Sequence, residues 1–120
     1  MVMDPKYISK LLVDEYVMKI LMAAYKKPLS TQQMSIEFDI PIAVCYRKVR
    51  ELLAADLLQK DEKYLTQKGK WVQTYRSKLK GAYVFLEKNE LRVRLELSDI
   101  EQPERDRTVN VLNRVQEVQS

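Results

Sequence analysis

The sequence predicts an α+β fold that is mainly helical at its N-terminal end. Apolar residues recur at helical spacing as far as Leu53, and from Leu57 to Leu97 they occupy alternate positions, as in strands. The chain has 120 residues, 46% hydrophobic and 32% charged, which is the balance of an ordinary globular protein. This length allows one ordinary domain with little left over for a second.

Two helices are predicted before residue 28. The first begins at Asp4-Pro5, because a capping acceptor followed by proline is a typical helix start. The second is expected from about Asp14 to Lys27 and ends before Pro28, which cannot continue it. The apolar stripe of this second helix consists of Val17, Ile20, Leu21 and Ala24.

A tight pair of helices follows. Ser30 is the expected N-cap, and Gln33 completes a capping box three residues later. This short helix ends near Asp39, and the turn at 39–41 leads into a second helix. The core stripe of that helix is predicted to be Cys45, Val49, Leu52 and Leu53, and its opposite face Ile42, Ala43, Tyr46, Arg47 and Arg50. Two helices in this arrangement form a helix-turn-helix, whose second helix normally enters the DNA major groove.

A β-hairpin is predicted directly after this motif. Leu57 to Thr66 is a strand with a candidate break at Asp61-Glu62, and Trp71 to Arg76 is its partner. The turn between them contains Gly69, which supplies a positive φ. A hairpin at this place is a β-wing, so residues 1–76 are predicted to form a winged helix-turn-helix.

The C-terminal third is predicted as an addition to that domain. Residues 77–97 read as a β-hairpin, with strands Leu79 to Leu86 and Leu91 to Leu97. Residues 98–120 read as a polar linker followed by a short amphipathic helix from Thr108 to Ser120. Because such a helix is unstable alone, it docks on its own domain, frays, or pairs with a second copy.

Positive charge is concentrated in one region. Residues 41–80 hold ten Lys and Arg against four acids, an excess of six, whereas the net charge of the whole chain is only +4. Such a concentration is expected of a surface that contacts phosphates. An ordinary solvated face is the alternative.

The predicted contacts divide by chemistry. Ile42 and Ala43 suit thymine methyl groups, while Arg47 and Arg50 suit guanine edges or phosphates. Lysines near the hairpin turn suit sequence-independent phosphate contact. The full predicted DNA-binding set is Ile42, Ala43, Tyr46, Arg47, Lys48, Arg50, Lys63, Lys68 and Lys70. Trp71 and Tyr75 are expected in the core or an interface rather than stacked on bases.

Catalysis, cofactors and metals are not expected. The chain has no histidine, only two glycines and one cysteine, so it lacks a phosphate loop and a zinc ligand set. Cys45 is expected to be a small buried thiol, the alternative being a redox sensor. Without a signal peptide or membrane span, a cytoplasmic protein is the expectation.

Three stretches resemble one known family. DIPIAVCYRKVRELLAADLL (residues 39–58) resembles the turn, recognition helix and strand start of ArsR-like winged-helix transcription regulators. The likeness is greatest to archaeal members, which often carry an "IP…CYR+…EL" helix. KYLTQKGKWVQTYRSKL (63–79) resembles their wing, and LLVDEYVMKILMAAYKKPLSTQQM (11–34) their first two helices.

The resemblance covers residues 10–97 and implies a homodimeric, sequence-specific DNA-binding repressor or activator. It places the helix from Ile42 to Arg50 in the major groove. Asp56 departs from the family, which usually has glycine after this helix, and Cys45 lacks the further ligands of metal-sensing members. Two alternatives remain open: a winged-helix protein-interaction module of transcription or replication machinery, and an RNA-binding module.

Overall fold

The computed structural model describes residues 4–98 and the backbone of residues 106–114, and it is α+β as predicted. The described elements are α1 (Pro5–Leu12), α2 (Glu15–Lys26), β1 (Leu29–Ser30), α3 (Thr31–Phe38), α4 (Ile42–Ala54), β2 (Leu58–Leu65), β3 (Trp71–Ser77), β4 (Leu79–Glu87), β5 (Glu90–Ser98) and β6 (Asp106–Arg114). None of the described helices is both long enough and apolar enough to cross a membrane. The chain forms two compact units, Glu15–Lys78 and Met1–Asp14 with Leu79–Ser120.

The unit Glu15–Lys78 combines three helices with an antiparallel sheet in the order β1-β3-β2. Leu29 pairs with Tyr75, and Leu58 pairs with Ser77. The buried apolar residues of this unit are Val17, Ile20, Leu21, Ala24, Leu29, Met34, Ile40, Cys45, Val49, Leu52, Ala55, Leu57 and Leu58. They come from every helix and from two of the strands, so one core holds the unit together.

Local hydrogen bonds define α3 and the turn after it. The Oγ atom of Ser30 accepts from the Gln33 amide at 3.1 Å, and Oε1 of Gln33 accepts from the Ser30 amide at 2.8 Å. The predicted capping box is therefore confirmed. At the other end Asp39 has a φ of 53°, and the Ile40 amide donates to the Ser35 carbonyl at 3.0 Å. This left-handed residue ends α3 and lets α4 begin three residues later.

Helix α4 ends at a left-handed residue that is not glycine. Asp56 has a φ of 61°, its amide donates to the Leu53 carbonyl at 3.1 Å, and the Leu57 amide donates to the Leu52 carbonyl at 2.9 Å. This pair of bonds is a Schellman cap, in which glycine is the usual residue. Asp56 also accepts a 2.8 Å bond from Nζ of Lys78. Asp56 thus adopts the backbone conformation that glycine usually supplies at this position of a cap.

We expect the stability of Asp56 variants to follow how well each new residue tolerates a positive φ. Asp56→Ala should lower the free energy of unfolding by about 1–2 kcal/mol, because alanine is strained in this conformation. Asp56→Gly should stay within about 1 kcal/mol of the wild type, because glycine relieves strain while the ion pair is lost. Urea denaturation measures both, and Asp56→Asn isolates the lost charge. An alanine variant more stable than the glycine variant would contradict this cap.

The second unit contains α1 and an antiparallel sheet in the order β4-β5-β6. Asp4 caps α1 as predicted, since its Oδ1 accepts from the Lys6 amide at 3.0 Å. The predicted hairpin is confirmed as β4 and β5, joined by Lys88 and Asn89, which both have positive φ. Helix α1 packs against β5 and β6. The buried apolar residues of this unit are Ile8, Leu11, Val93, Leu95 and Leu97.

The predicted C-terminal helix is wrong over its described part. Residues 106–114 form strand β6, which pairs with β5 in the register Val93↔Val111 and Leu95↔Val109. Valine favours strands, and pairing with β5 satisfies backbone groups that a short, isolated helix would expose. The predicted linker is shortened accordingly, because Ser98 belongs to β5 and residues 106 and 107 to β6. Residues 99–105 and 115–120 lie outside the described residues.

The division into units differs from the predicted domains at the N-terminus. Helix α1 groups with strands β4–β6 rather than with helices α2–α4. The predicted boundary after residue 76 lies close to the observed one after Lys78. Strand β6 also turns the predicted two-stranded extension at 77–97 into a three-stranded sheet. A third strand gives that extension the stability that a lone hairpin lacks in water.

Candidate nucleic-acid interface

Helix α4 presents the face that its period predicts. Ile42, Ala43, Tyr46, Arg47 and Arg50 are all exposed, with Ile42 at 45% and Tyr46 at 44%. The other side is fully buried and consists of Cys45, Val49 and Leu52. Lys48 is half-buried at the margin of the exposed face. Contact of these residues with DNA stays a prediction.

Seven of the ten basic residues at 41–80 fall into two groups by ion pairing. Lys78 pairs with Asp56 at 2.8 Å, and Nε of Arg76 lies 3.6 Å from a carboxylate oxygen of Asp61. A second group forms no ion pair with any described residue: Arg47, Arg50, Lys63, Lys68 and Lys70. All five are exposed. Since they have no acidic partner to give up, they can bind an anion without breaking an existing ion pair.

The turn of the β2–β3 hairpin is closed by its own backbone. The Thr66 amide donates to the Lys70 carbonyl at 2.8 Å, and the Gly69 amide donates to the Thr66 carbonyl at 2.9 Å. Gly69 has a φ of 77°, which confirms the predicted need for glycine there. The closed turn holds Lys68 and Lys70 at the tip of the hairpin, where both are exposed.

The predicted break in β2 is a bulge with a definite cause. The strand register shifts between Lys60 and Lys63. Side chains of β3 occupy the freed carbonyls, since Nε2 of Gln73 donates to Asp61 O at 2.6 Å and Oγ1 of Thr74 donates to Glu62 O at 2.5 Å. A bulge bends a strand and increases its twist. It therefore sets the direction of the outer half of the hairpin.

A cleft of about 500 Å³ lies between the start of α3, helix α4 and the β2–β3 hairpin. Its lining includes Thr31, Tyr46, Lys68, Lys70 and Trp71. The structure thus joins one predicted residue of the helix to two of the hairpin. The predicted residues outside this lining are Ile42, Ala43, Arg47, Lys48, Arg50 and Lys63.

Of the two places expected for Trp71, the core or an interface, the structure excludes the core. Its side chain is 64% exposed, so it does not belong to the core. It stands opposite Leu65 in the hairpin and faces the cleft beside Lys70. The sequence signal that could have added Trp71 to the predicted site is its position next to the lysine-rich turn. Thr31, by contrast, gave no signal beyond its place after the N-cap.

Cys45 lies beneath the exposed face of α4. Its side chain is fully buried, as predicted, and its thiol donates to the Thr31 carbonyl at 3.5 Å. Burial raises the pKa of the Cys45 thiol above its usual value. The thiol therefore stays protonated and inert, and it helps to hold α4 against the start of α3.

These features give the unit Glu15–Lys78 one cationic surface. It consists of the exposed face of α4, the tip of the β2–β3 hairpin, and the cleft that lies between them. Arginine and lysine side chains here can donate to phosphate oxygens or to base edges. The chain matches no protein-family model, no curated protein and no solved structure.

Proposed function

We propose that the unit Glu15–Lys78 is a winged helix-turn-helix that binds double-stranded DNA sequence-specifically, and that the protein is a homodimeric transcriptional regulator. One observation carries the proposal: five cations predicted to contact DNA lie on α4 and the hairpin that follows it, all exposed and without ion pairs among the described residues. The element order also supports it, since α2 and β1 precede the α3–α4 pair and a β2–β3 hairpin follows. The resemblance of residues 39–58 and 63–79 to archaeal ArsR-like regulators points the same way.

In this proposal α4 is the recognition helix. Ile42 and Ala43, at its N-terminal end, meet thymine methyl groups at base edges in the major groove. Arg47 and Arg50 lie one and two turns further along the same exposed face. They bind guanine O6 and N7 or the flanking phosphates, and these contacts carry both affinity and specificity.

The β2–β3 hairpin is the wing and contacts the sugar-phosphate backbone. Lys63, Lys68 and Lys70 supply positive charge there without reading sequence. One DNA strand lies in the cleft between wing and helix, whose lining includes Tyr46 and Trp71. Such contacts fix the orientation of α4 on the duplex, which base readout requires.

A salt titration tests this function. Fluorescence anisotropy with mixed genomic duplexes should give a plot of log affinity against log salt with a slope of about −4 to −5, because each of five phosphate contacts adds about −0.9. Between about 50 and 200 mM salt the affinity should then fall on the order of several hundred-fold. Hairpin RNA and single-stranded DNA serve as competitors. A duplex affinity that does not change with salt concentration, or RNA that competes as well as duplex DNA, would contradict the proposal.

A protein-interaction module is the second candidate. The observation that favours it is exposed apolar surface on the same unit: Ile36 is 83% exposed, Trp71 64% and Ile42 45%. Apolar side chains of this kind often anchor a partner protein. The same titration separates the two functions, because a protein interface predicts no duplex affinity.

A further inference from the structure

Strand β4 is the open edge of its sheet. Among the strands that the structure describes, it pairs only with β5. Its centre is apolar and exposed on both faces: Tyr83 is 41% exposed, Val84 50%, Phe85 38% and Leu86 74%. An open edge with apolar side chains on both faces is prone to pair with another strand, so a soluble protein must cover it.

The backbone of β4 has a defined outward pattern. A two-residue turn, Lys88-Asn89, joins the strands, so its flanking pair Glu87↔Glu90 is hydrogen-bonded. Hydrogen-bonded and non-hydrogen-bonded pairs alternate from there, and Val84↔Val93 is of the second kind. The N–H and C=O groups of Val84, and of Ala82 and Leu86 at the same phase, therefore point away from β5.

We propose that a second copy of this chain pairs with β4 in antiparallel fashion, about a two-fold axis that passes through Val84. The two sheets then continue each other as six strands. This inference rests on the homodimer of the proposed function and assigns its interface. The outward groups at 82, 84 and 86 then bond to those at 86, 84 and 82 of the other copy.

Residue pairing selects this register over its neighbours. Centred on Val84, the axis places Tyr83 opposite Phe85 and Ala82 opposite Leu86, so apolar meets apolar and small meets large. Centred on Tyr83, it would set Lys80 against Leu86. Centred on Phe85, it would set Tyr83 against Glu87. Only the first register pairs every residue from 82 to 86 with an apolar one.

Two further features point to a second copy as the partner. The apolar stretch 82–86 is short and bounded on both sides, by Gly81 at the bulge and by Glu87 before the turn. A strand with the same bounds matches it end to end. The guanidinium of Arg94 lies 4.4 Å from the Tyr83 ring centre and 5.8 Å from that of Phe85. In the dimer the two copies' Tyr83–Phe85 pairs join these stacks into one layer.

The molar mass of the full chain in solution tests the interface. Light scattering after gel filtration should give twice the chain mass for the wild type at tens of micromolar. Val84→Lys sets two like charges against each other at the axis, and should give the mass of a single chain with an unchanged circular dichroism spectrum. Ile36→Lys is the matched control, because it adds the same charge at an exposed apolar site elsewhere, and it should remain dimeric.

A charge-swap tests the register itself. Ala82→Glu and Leu86→Lys should each shift the dimer toward single chains by tenfold or more in dissociation constant. The double variant should recover the dimer, because each new acid faces a new base on the other copy. A monomeric wild type, a dimeric Val84→Lys variant, or a double variant weaker than both singles would overturn the proposal. A wild-type monomer with the expected salt-dependent DNA affinity overturns this interface and the homodimer but leaves DNA binding standing, while a dimer without DNA affinity overturns DNA binding and leaves the interface standing.

Discussion

Replacing Arg47 and Arg50 together by alanine is expected to weaken duplex DNA binding by about 30-fold or more. Each guanidinium that contacts a guanine edge contributes about 1–3 kcal/mol, and its loss leaves the base unpaired. Both side chains are exposed and form no ion pair with a described residue, so their removal does not disturb the core. Fluorescence anisotropy at fixed salt on a selected duplex measures the change.

A charge-matched control separates the effect of lost contacts from the effect of lost net charge. Lys6→Ala with Lys10→Ala removes two positive charges from exposed positions of α1, outside the unit Glu15–Lys78. This variant should bind within a few-fold of the wild type, and both variants should keep the wild-type melting temperature. If both double variants lost the same amount of DNA affinity, the affinity would depend on net charge alone. If the double arginine variant kept wild-type affinity, the assigned face of α4 would be rejected.

Leu52→Ala should lower the free energy of unfolding by about 2–5 kcal/mol. Leu52 is fully buried, so the substitution removes methyl groups and leaves a cavity among closely packed neighbours. Leu53→Ala is the matched variant one residue further along, where the side chain is only half-buried. It should cost at most about half as much, because fewer contacts are lost. Urea denaturation of both variants gives the comparison.

This pair of leucines also tests which face α4 exposes. One residue corresponds to about 100° of rotation around a helix, so the order of the two effects reports the helix phase. The observed phase buries Leu52 and exposes Arg47 and Arg50. If Leu53→Ala destabilised the protein more than Leu52→Ala, the helix would be rotated, and the predicted DNA-contact residues would have to change with it.

The sequence predicted helices α3 and α4 and the β2–β3 hairpin well because their signals are local. The capping box of Ser30 and Gln33 spans three residues, and the left-handed Gly69 lies within its own turn. The exposed face of α4 follows from a period of 3.6 residues within one helix. Periodicity is less exact at the edge of the buried stripe: it placed Leu53 in the core, whereas the structure leaves this side chain half-buried.

The C-terminal region could not be read in the same way. Residues 108–114 have apolar spacing compatible with a helix, but the edge of β5 recruits them as a strand. That edge lies more than ten residues away in sequence, and pairing depends on backbone groups that no side-chain pattern reports. The sequence could not decide between core and interface for Trp71 for a related reason: whether a large apolar residue is buried depends on which distant elements reach it.

The sequence by itself thus determined the helices of the first half, their caps, the β2–β3 hairpin and the local concentration of charge. Each of these depends on interactions between residues a few positions apart. The tertiary structure alone decided three other features: the grouping of α1 with the C-terminal strands, the identity of β6, and the cleft that unites Tyr46 with Lys68 and Lys70. These arise from contacts between residues far apart in the chain, and their free energy is gained only when the whole unit packs.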